Sequence, residues 1–387
     1  MVFLKNTAFF GQPQFLNNKI KFMRTASFKI TTVIVILSLI FFCSCKKNNK
    51  EIHFNELPIN IKLKHNNELN SKNNIAIKPN YILNYDSLLI VNDLYGKAGD
   101  NYIYIFNKSN FKLMTSIGIR GKGPKELNSP ALIALNKRNR SLWILDYSNQ
   151  KIWKYDIDSI IEKENYTPNK FIELPKNYEF ITSMAWIKDT LIVDGGYNSD
   201  LLAFIHQDSE KIVTKGKEHK QLGEIQNPEK TYTMMMWKHL SVSQEHKMIA
   251  LAYQAYDRLM ITDYNCNKLF TYIGPDHTKP EFKGYSPANT KVCYRGIQTS
   301  KNYIMGLYQG SITSEIRGKS RVQNYPNKIH IFNFDGEIIG QYILDREISN
   351  FYFDRDSDRI IALDAESDNT FIVYENVIGK LNRKKIQ

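Results

Sequence analysis

Across residues 52–379 the apolar positions fall in short runs rather than helical stripes. Runs of Ile, Tyr, Phe, Leu and Val are bounded by Asn, Asp, Gly, Ser and Lys, the pattern of strands and turns. One uninterrupted run recurs. It reads Leu88-Leu89-Ile90-Val91, Leu142-Trp143-Ile144-Leu145, Leu191-Ile192-Val193, Ile249-Ala250-Leu251-Ala252, Ile304-Met305-Gly306-Leu307 and Ile360-Ile361-Ala362-Leu363. The steps between first residues are 54, 49, 58, 55 and 56. A period of that size marks a propeller or a solenoid.

A second, alternating strand follows each run: Tyr102 to Phe106, Ile152 to Tyr155, Leu201 to Ile205, Arg258 to Thr262, Ile329 to Phe332 and Phe371 to Tyr374. Several are followed by Asn107, Asp156, Asp263 or Asn333, side chains that open a turn by bonding their own backbone. A further strand follows in five units, and an apolar segment such as Ala131 to Leu135 precedes each run. Four strands in each of six units predict an all-β, six-bladed β-propeller with four-stranded blades. The sixth unit lacks an outer strand, because only residues 375–387 remain and they end in Arg383-Lys384-Lys385. The alternating segment Ile59-Asn60-Ile61-Lys62-Leu63 has no blade of its own. It is expected to close the ring as the outer strand of blade six, covering an otherwise open edge.

The chain ahead of the repeats carries an export pattern. Arg24 and Lys29 precede an uncharged stretch of 13 residues, Ile30 to Phe42, and then Phe42-Cys43-Ser44-Cys45. Thirteen residues suit a signal segment and are short for a membrane span. Residues 1–44 are therefore read as a signal peptide and Cys45 as the acylated residue. Residues 45–51 form a lipid-anchored linker, 52–379 the propeller and 380–387 a basic tail. Met23 is the more natural start; the alternative is a long basic leader containing Lys19 and Lys21.

Charge changes this picture little. The net charge of +13 includes five cations and no acid in residues 1–44, which leaves about +8 on the exported chain. Such an excess suits a Lys-rich solvated surface, an anionic membrane or an acidic ligand. Nucleic acid is not expected, since export removes the chain from it and no recognition motif is visible. Processing and acylation leave Cys266 and Cys293. They are assigned toward opposite faces of the fold and are read as free and buried.

The chain resembles the six-bladed, TolB-like propeller lipoproteins of Bacteroidota, whose blades are NHL-like. The resemblance rests on the segment ending at Cys45 and on Gly118-Ile119-Arg120-Gly121-Lys122-Gly123-Pro124-Lys125-Glu126-Leu127 between the first two blades. That segment is similar to a Gly-Arg-Gly-x-Gly-Pro-Gly-Glu-Phe linker common in the group, with Lys125 and Leu127 where Gly and Phe are usual. The resemblance implies the propeller fold and an envelope location. Lys46-Lys47-Asn48-Asn49 lacks the acidic signals for inner-membrane retention and surface export, which points to the periplasmic side of the outer membrane. Some related propellers are calcium-dependent lactonases or lyases. A hydrolase or lyase with a metal in the central channel is therefore the alternative to a binding or scaffold protein for a protein, peptide or envelope glycan.

No segment announces catalysis, and no catalytic residue, metal ligand or cofactor is assigned. The Gly118–Gly123 segment fits no phosphate-loop spacing and suits a tight crossover. Asp354-Arg355-Asp356-Ser357-Asp358 imitates a calcium loop, but Arg359 and Ala365 stand where Gly and Glu are needed. It reads as a hairpin turn. No histidine motif or nucleophile elbow is present. Candidate ligand residues lie on the face formed by the inter-blade linkers and the loops after each second strand. They are Arg120 and Lys122 in the first linker, Arg317, Lys319 and Arg321 in the long insertion 309–327, and Lys238, His239 and Arg295 near the starts of innermost strands. Trp237 and Tyr294 are expected in the core. Asp257, Glu366 and Asp368 nearly offset the cations of this face, so it is not a uniformly positive funnel.

Overall fold

The second strand of each repeat is sealed on both faces, and this explains the uninterrupted runs. In a computed structural model of the chain, residues 49–66, 77–163, 166–175, 178, 181–194, 200–207, 211–217, 235–276, 290–317, 320–365 and 370–386 are described. Residues 1–48, with Cys45 and the export pattern, lie outside them, as do Lys319, Glu366 and Asp368.

Two short strands come first, β1 (Lys50–His53) and β2 (Asn60–Leu63). Blade one follows with β3 (Pro79–Tyr85), β4 (Leu88–Asp93), β5 (Asn101–Asn107) and β6 (Leu113–Ile119). Blade two has β7 (Pro130–Asn136), β8 (Ser141–Asp146), β9 (Lys151–Asp156), a short helix α1 (Ile157–Glu162) and β10 (Lys170–Glu173). Blade three has β11 (Ser183–Ile187), β12 (Thr190–Asp194), β13 (Asp200–His206) and β14 (Ile212–Lys217). Blade four has β15 (Lys238–Ser243), β16 (Met248–Tyr253), β17 (Arg258–Asp263) and β18 (Lys268–Ile273). Blade five has β19 (Lys291–Thr299) and β20 (Tyr303–Ile312), an inserted hairpin of β21 (Ser314–Arg317) and β22 (Ser320–Gln323), then β23 (Lys328–Asn333) and β24 (Ile338–Leu344). Blade six has β25 (Ile348–Asp354), β26 (Arg359–Asp364) and β27 (Phe371–Glu375), followed by helix α2 (Val377–Ile386). Within each blade, successive strands pair antiparallel. The innermost strands β3, β7, β11, β15, β19 and β25 neighbour one another in chain order, and β25 returns to β3.

The core is partitioned between blades. Leu88 and Ile90 of β4 pack with Leu142, Ile144 and Tyr155 of blade two. Their neighbours Leu89 and Val91 pack with Ile361, Leu363 and Phe371 of blade six. Trp143 and Leu145 of β8 turn the other way, toward Met184, Trp186 and Leu191 of blade three. A strand alternates its side chains between two faces. Here each face meets a different neighbour, so no polar position is tolerated along the run. The turn residues act as expected. Asn107 Oδ1 accepts the Ser109 N–H at 2.9 Å, Asp263 Oδ1 accepts those of Asn265 and Asn267 at 2.9 Å, and Asp156 caps α1. Cys266 and Cys293 are free and buried.

The N-terminal segment joins the ring, but not at the edge the strand count suggested. β1 pairs parallel with β18, the outer strand of blade four. β2 pairs parallel with β24, the outer strand of blade five, rather than with blade six. Only then does the segment reach blade six, where the Asn66 N–H bonds the Val373 carbonyl of β27 at 2.8 Å. Phe54 fills the gap between blades four and five, while Ile61 and Leu63 fill the gap between five and six. Every four-stranded blade offers an open outer edge, so a count of four per blade does not choose among them. Burial of Ile61 and Leu63 makes the choice. The backbone of Ile59 runs so close that a Cβ on Gly340 would lie 2.4 Å from its carbonyl oxygen.

Residues read as a basic tail belong instead to α2, with Val377 and Leu381 buried against blades five and six. The calcium-like run is a turn. Asp354 pairs with Arg359 and Lys108, and the Asp358 carboxylate accepts the N–H groups of Ile378 and Gly379 at the start of α2.

Two substitutions test the added segments. Leu63→Ala and Leu381→Ala, each at a fully buried site, should each cost about 2–4 kcal/mol in chemical denaturation. Arg383→Ala, on the exposed face of α2, should stay within about 0.5 kcal/mol. Equal, small effects at all three would remove the segments from the folded unit.

Candidate functional site

Four second strands end in aspartate: Asp93, Asp146, Asp194 and Asp364. Three of them bond backbone or hydroxyl donors of nearby loops. Asp93 Oδ1 accepts the N–H groups of Lys78 and Tyr95 at 3.3 and 3.0 Å. Asp146 accepts those of Asn128 and Ser129 at 3.0 and 2.8 Å. Asp194 accepts the Thr182 hydroxyl at 2.6 Å, and Asp364 pairs with Arg346 at 3.1 Å. Each carboxylate ties a loop or linker to the end of its blade, and charged acceptors make the stronger bonds. In the sequence these aspartates stand one or two positions beyond the apolar runs that end at Val91, Leu145, Val193 and Leu363.

Several of the expected ligand cations belong to this scaffold. Lys238 is almost completely buried, with its ammonium 2.8 Å from Asp194. A buried ion pair is costly to break, so Lys238 joins blades three and four rather than lining the channel. Arg120 lies over the Tyr102 ring at 5.0 Å and donates to the Asp93 carbonyl. It braces blade one, whereas Lys122 is exposed. The glycines of that linker wrap the Glu126 carboxylate, which accepts the Gly123 N–H at 2.7 Å. Lys125, where the group usually has Gly, has φ +67°, a conformation that favours glycine. In the insertion, Arg317 stands opposite Ser320, and Arg321 opposite Ile316, in the β21–β22 ladder.

Blades four and five break the pattern. Their runs end in Tyr253-Gln254 and Tyr308-Gln309 instead of aspartate. Polar groups gather here. Arg295, on β19, donates from Nε to Gln309 Oε1 at 2.5 Å and stacks near the Tyr325 ring at 5.8 Å. Its Nη2 is enclosed and has no hydrogen-bond partner among the described residues. His239, on β15, is 8 % exposed, and its Nε2 is likewise enclosed and unpartnered. Burial pushes the imidazole down to about 4; the nearby Arg295 charge adds to this, and a hydrogen bond with Gln254 opposes it. Tyr95 of blade one lies within electrostatic reach of both Arg295 and Tyr325. Blade six separates blades one and five, so a group near both faces the centre of the ring. His239 and Arg295 thus stand on neighbouring innermost strands, β15 and β19, within electrostatic reach of each other.

Asp257, expected from the sequence as an acid that offsets the cations of this face, is instead buried in a polar cluster. The Tyr308 hydroxyl stands 3.2 Å from Asp257 and 3.0 Å from Asp276. Lys291 pairs with Asp276 at 2.8 Å. The Tyr294 hydroxyl and His330 Nδ1 are 3.1 Å apart, and the Tyr308 and His330 rings stack at 4.1 Å. Tyr294 is in the core as expected. Asp257 is 1 % exposed. Burial raises its carboxyl to about 7, against hydrogen bonds from Tyr308 and the Asp276 backbone that favour the anion; the Asp276 charge raises it further. Gly274 is required beside it, because a Cβ there would lie 1.9 Å from Asp257 Oδ2. Nothing local in the sequence marks Asp257, since its partners come from three separate segments. Among the described residues, no three His, Cys, Asp or Glu gather as a metal site.

These groups set opposing pH dependences. Asp257 keeps its proton in the folded chain up to about pH 7 but loses it near 3.9 when unfolded. Between those values the folded state binds more protons, so this contribution to stability falls as pH rises, then levels off. His239 and His330, lowered to about 4 and about 3 by burial, act the other way below pH 6.5. Asp257→Asn keeps an acceptor for Tyr308 and removes only the first effect. The variant should lose less stability than the parent, or gain more, as pH is raised from about 4 to about 7 in denaturant titrations. A constant offset across that range would show that Asp257 ionises normally.

The sequence of residues 60–356 matches the family described as TolB-like 6-blade propeller-like. No curated protein matches the chain in sequence. Among solved structures, the chain is similar to a member of the DUF4221 family from Bacteroides vulgatus, with 9 % identity and a TM-score of 0.51 over 78 % of this chain and 92 % of that one. It is also similar to a candidate exported protein of Bacteroides fragilis, with 12 % identity and a TM-score of 0.50 over 82 % of this chain and 99 % of that one. At such identities the likeness is one of fold, and it agrees with the sequence match in placing this chain in the TolB-like six-bladed propeller family.

Proposed function

We propose that the chain is a binding propeller, anchored to the membrane through acylated Cys45, that holds a protein, peptide or envelope glycan at the mouth of its central channel. The observation that carries this reading is the approach of blades one, four and five to Arg295, whose enclosed Nη2 donor is left unpartnered among the described residues. Leaving a buried polar group unpaired costs about 1–3 kcal/mol, and an incoming ligand recovers that cost. Rigid rings carry such sites well because loops from separate blades are fixed relative to one another. The export pattern and the candidate exported relative support an envelope location, and Lys46-Lys47-Asn48-Asn49 favours the periplasmic side of the outer membrane.

Cys45→Ser should abolish labelling by an alkyne palmitate analogue and release the protein from the membrane fraction. Retained labelling would move the anchor elsewhere. A photoreactive amino acid in place of Tyr95 should give a discrete adduct in cells, and one in place of Lys188, which lies in the turn between β11 and β12, should not. Adducts from Lys188 alone would place the binding surface on the other face.

A further inference from the structure

Resting on the binding reading above, we infer that the channel mouth recognises a single carboxylate, held by Arg295 Nη2. Three features point to this chemistry. The guanidinium is fixed in plane on its Nε side by Gln309, at 2.5 Å, and flanked by Tyr325. Its remaining edge is therefore presented in one orientation. Arginine's planar fork matches the two coplanar oxygens of a carboxylate. Second, the charge count is one. Lys238, next to His239, is already paired with Asp194, and His239 is neutral above about pH 4. A monoanion balances the site, whereas a phosphate dianion leaves one charge uncompensated in a buried place. Third, the enclosed Arg295 Nη2 lacks a partner among the described residues, although nearly all buried polar groups in folded proteins have one. Tyr95, within electrostatic reach of Arg295, is largely exposed and is placed by the bond from its N–H to Asp93. It offers an aromatic edge for whatever carries the carboxylate. An acidic peptide and a uronic-acid glycan share this group.

Saturation-transfer NMR on the soluble chain from residue 46 separates the alternatives. The probes are N-acetyl-Ala-Glu-Ala-amide, its Gln counterpart, digalacturonate, its methyl ester and inorganic phosphate. The acid of at least one pair should bind at least tenfold more tightly than its neutral counterpart and more tightly than phosphate, and which acid does so names the source. Arg295→Gln should reduce that binding at least tenfold, and Arg295→Lys should restore only part of it, with the melting temperature of each variant recorded. Binding of neither acid, equal binding of acid and neutral probe, stronger binding of phosphate, or full binding by a folded Arg295→Gln chain would each overturn the carboxylate assignment. The wild-type comparison does not depend on whether a variant folds. If the Tyr95 photoadduct forms while no carboxylate binds, the binding propeller stands and its ligand chemistry is different. If neither occurs, both readings fall.

Discussion

A blade of this protein cannot bury its own hydrophobic surface. The second strand of each blade carries apolar side chains on both faces, and each face finds its cover only in a neighbouring blade. Leu89 and Ile90 are adjacent in the chain and equally inaccessible, yet they belong to two different interfaces. Six such interfaces, each an apolar cluster between consecutive blades, make the ring. Removing water from apolar surface drives the association. Because the last interface joins blade six to blade one, the geometry closes only when all blades are in place. Rigidity at the channel mouth follows, since no blade can tilt without opening two clusters.

The N-terminal segment strengthens the ring where its outer edges would otherwise be open. It runs along blades four and five as parallel strands, touches blade six by a backbone hydrogen bond, and drops Phe54, Ile61 and Leu63 into the gaps between them. The helix α2 adds Val377 and Leu381 to the gap between blades five and six that Ile61 and Leu63 also fill. The wider outer parts of the blades diverge with distance from the axis, and these segments fill the divergence.

The aspartate ties at the ends of four second strands hold the loops of the upper face. Blades four and five lack them. There the tyrosine and glutamine of the same position support Arg295, His239 and the Asp257–Tyr308–Asp276 cluster. A repeat fold gains stability from every unit that keeps its pattern, so a local departure that leaves buried polar groups unpaired is destabilising on its own. Arg295 with an unpartnered Nη2, His239 held neutral, and Asp257 titrating near neutrality are such groups. They lie in the two blades where the repeat is broken, and their burial separates them from the ordinary surface charge of Lys122.

Periodicity alone determined the all-β class, six units, the uninterrupted second strands and the turn residues Asn107, Asp156 and Asp263, because these depend on neighbours within a few positions. It also brought His239 and Arg295 into view through their place near the starts of innermost strands. It did not separate them from Lys238 and Arg120, because whether a cation is free depends on what stands across the gap. Asp194 and Asp93 are 44 and 27 residues away from those two cations. Nor did it place β2, since blades five and six present equivalent open edges to a four-residue strand and only the burial of Ile61 and Leu63 distinguishes them. The tertiary structure decided the partner of every charge and the edge taken by every unpaired strand. Those choices are made by electrostatics and packing across interfaces between blades, which no local pattern records.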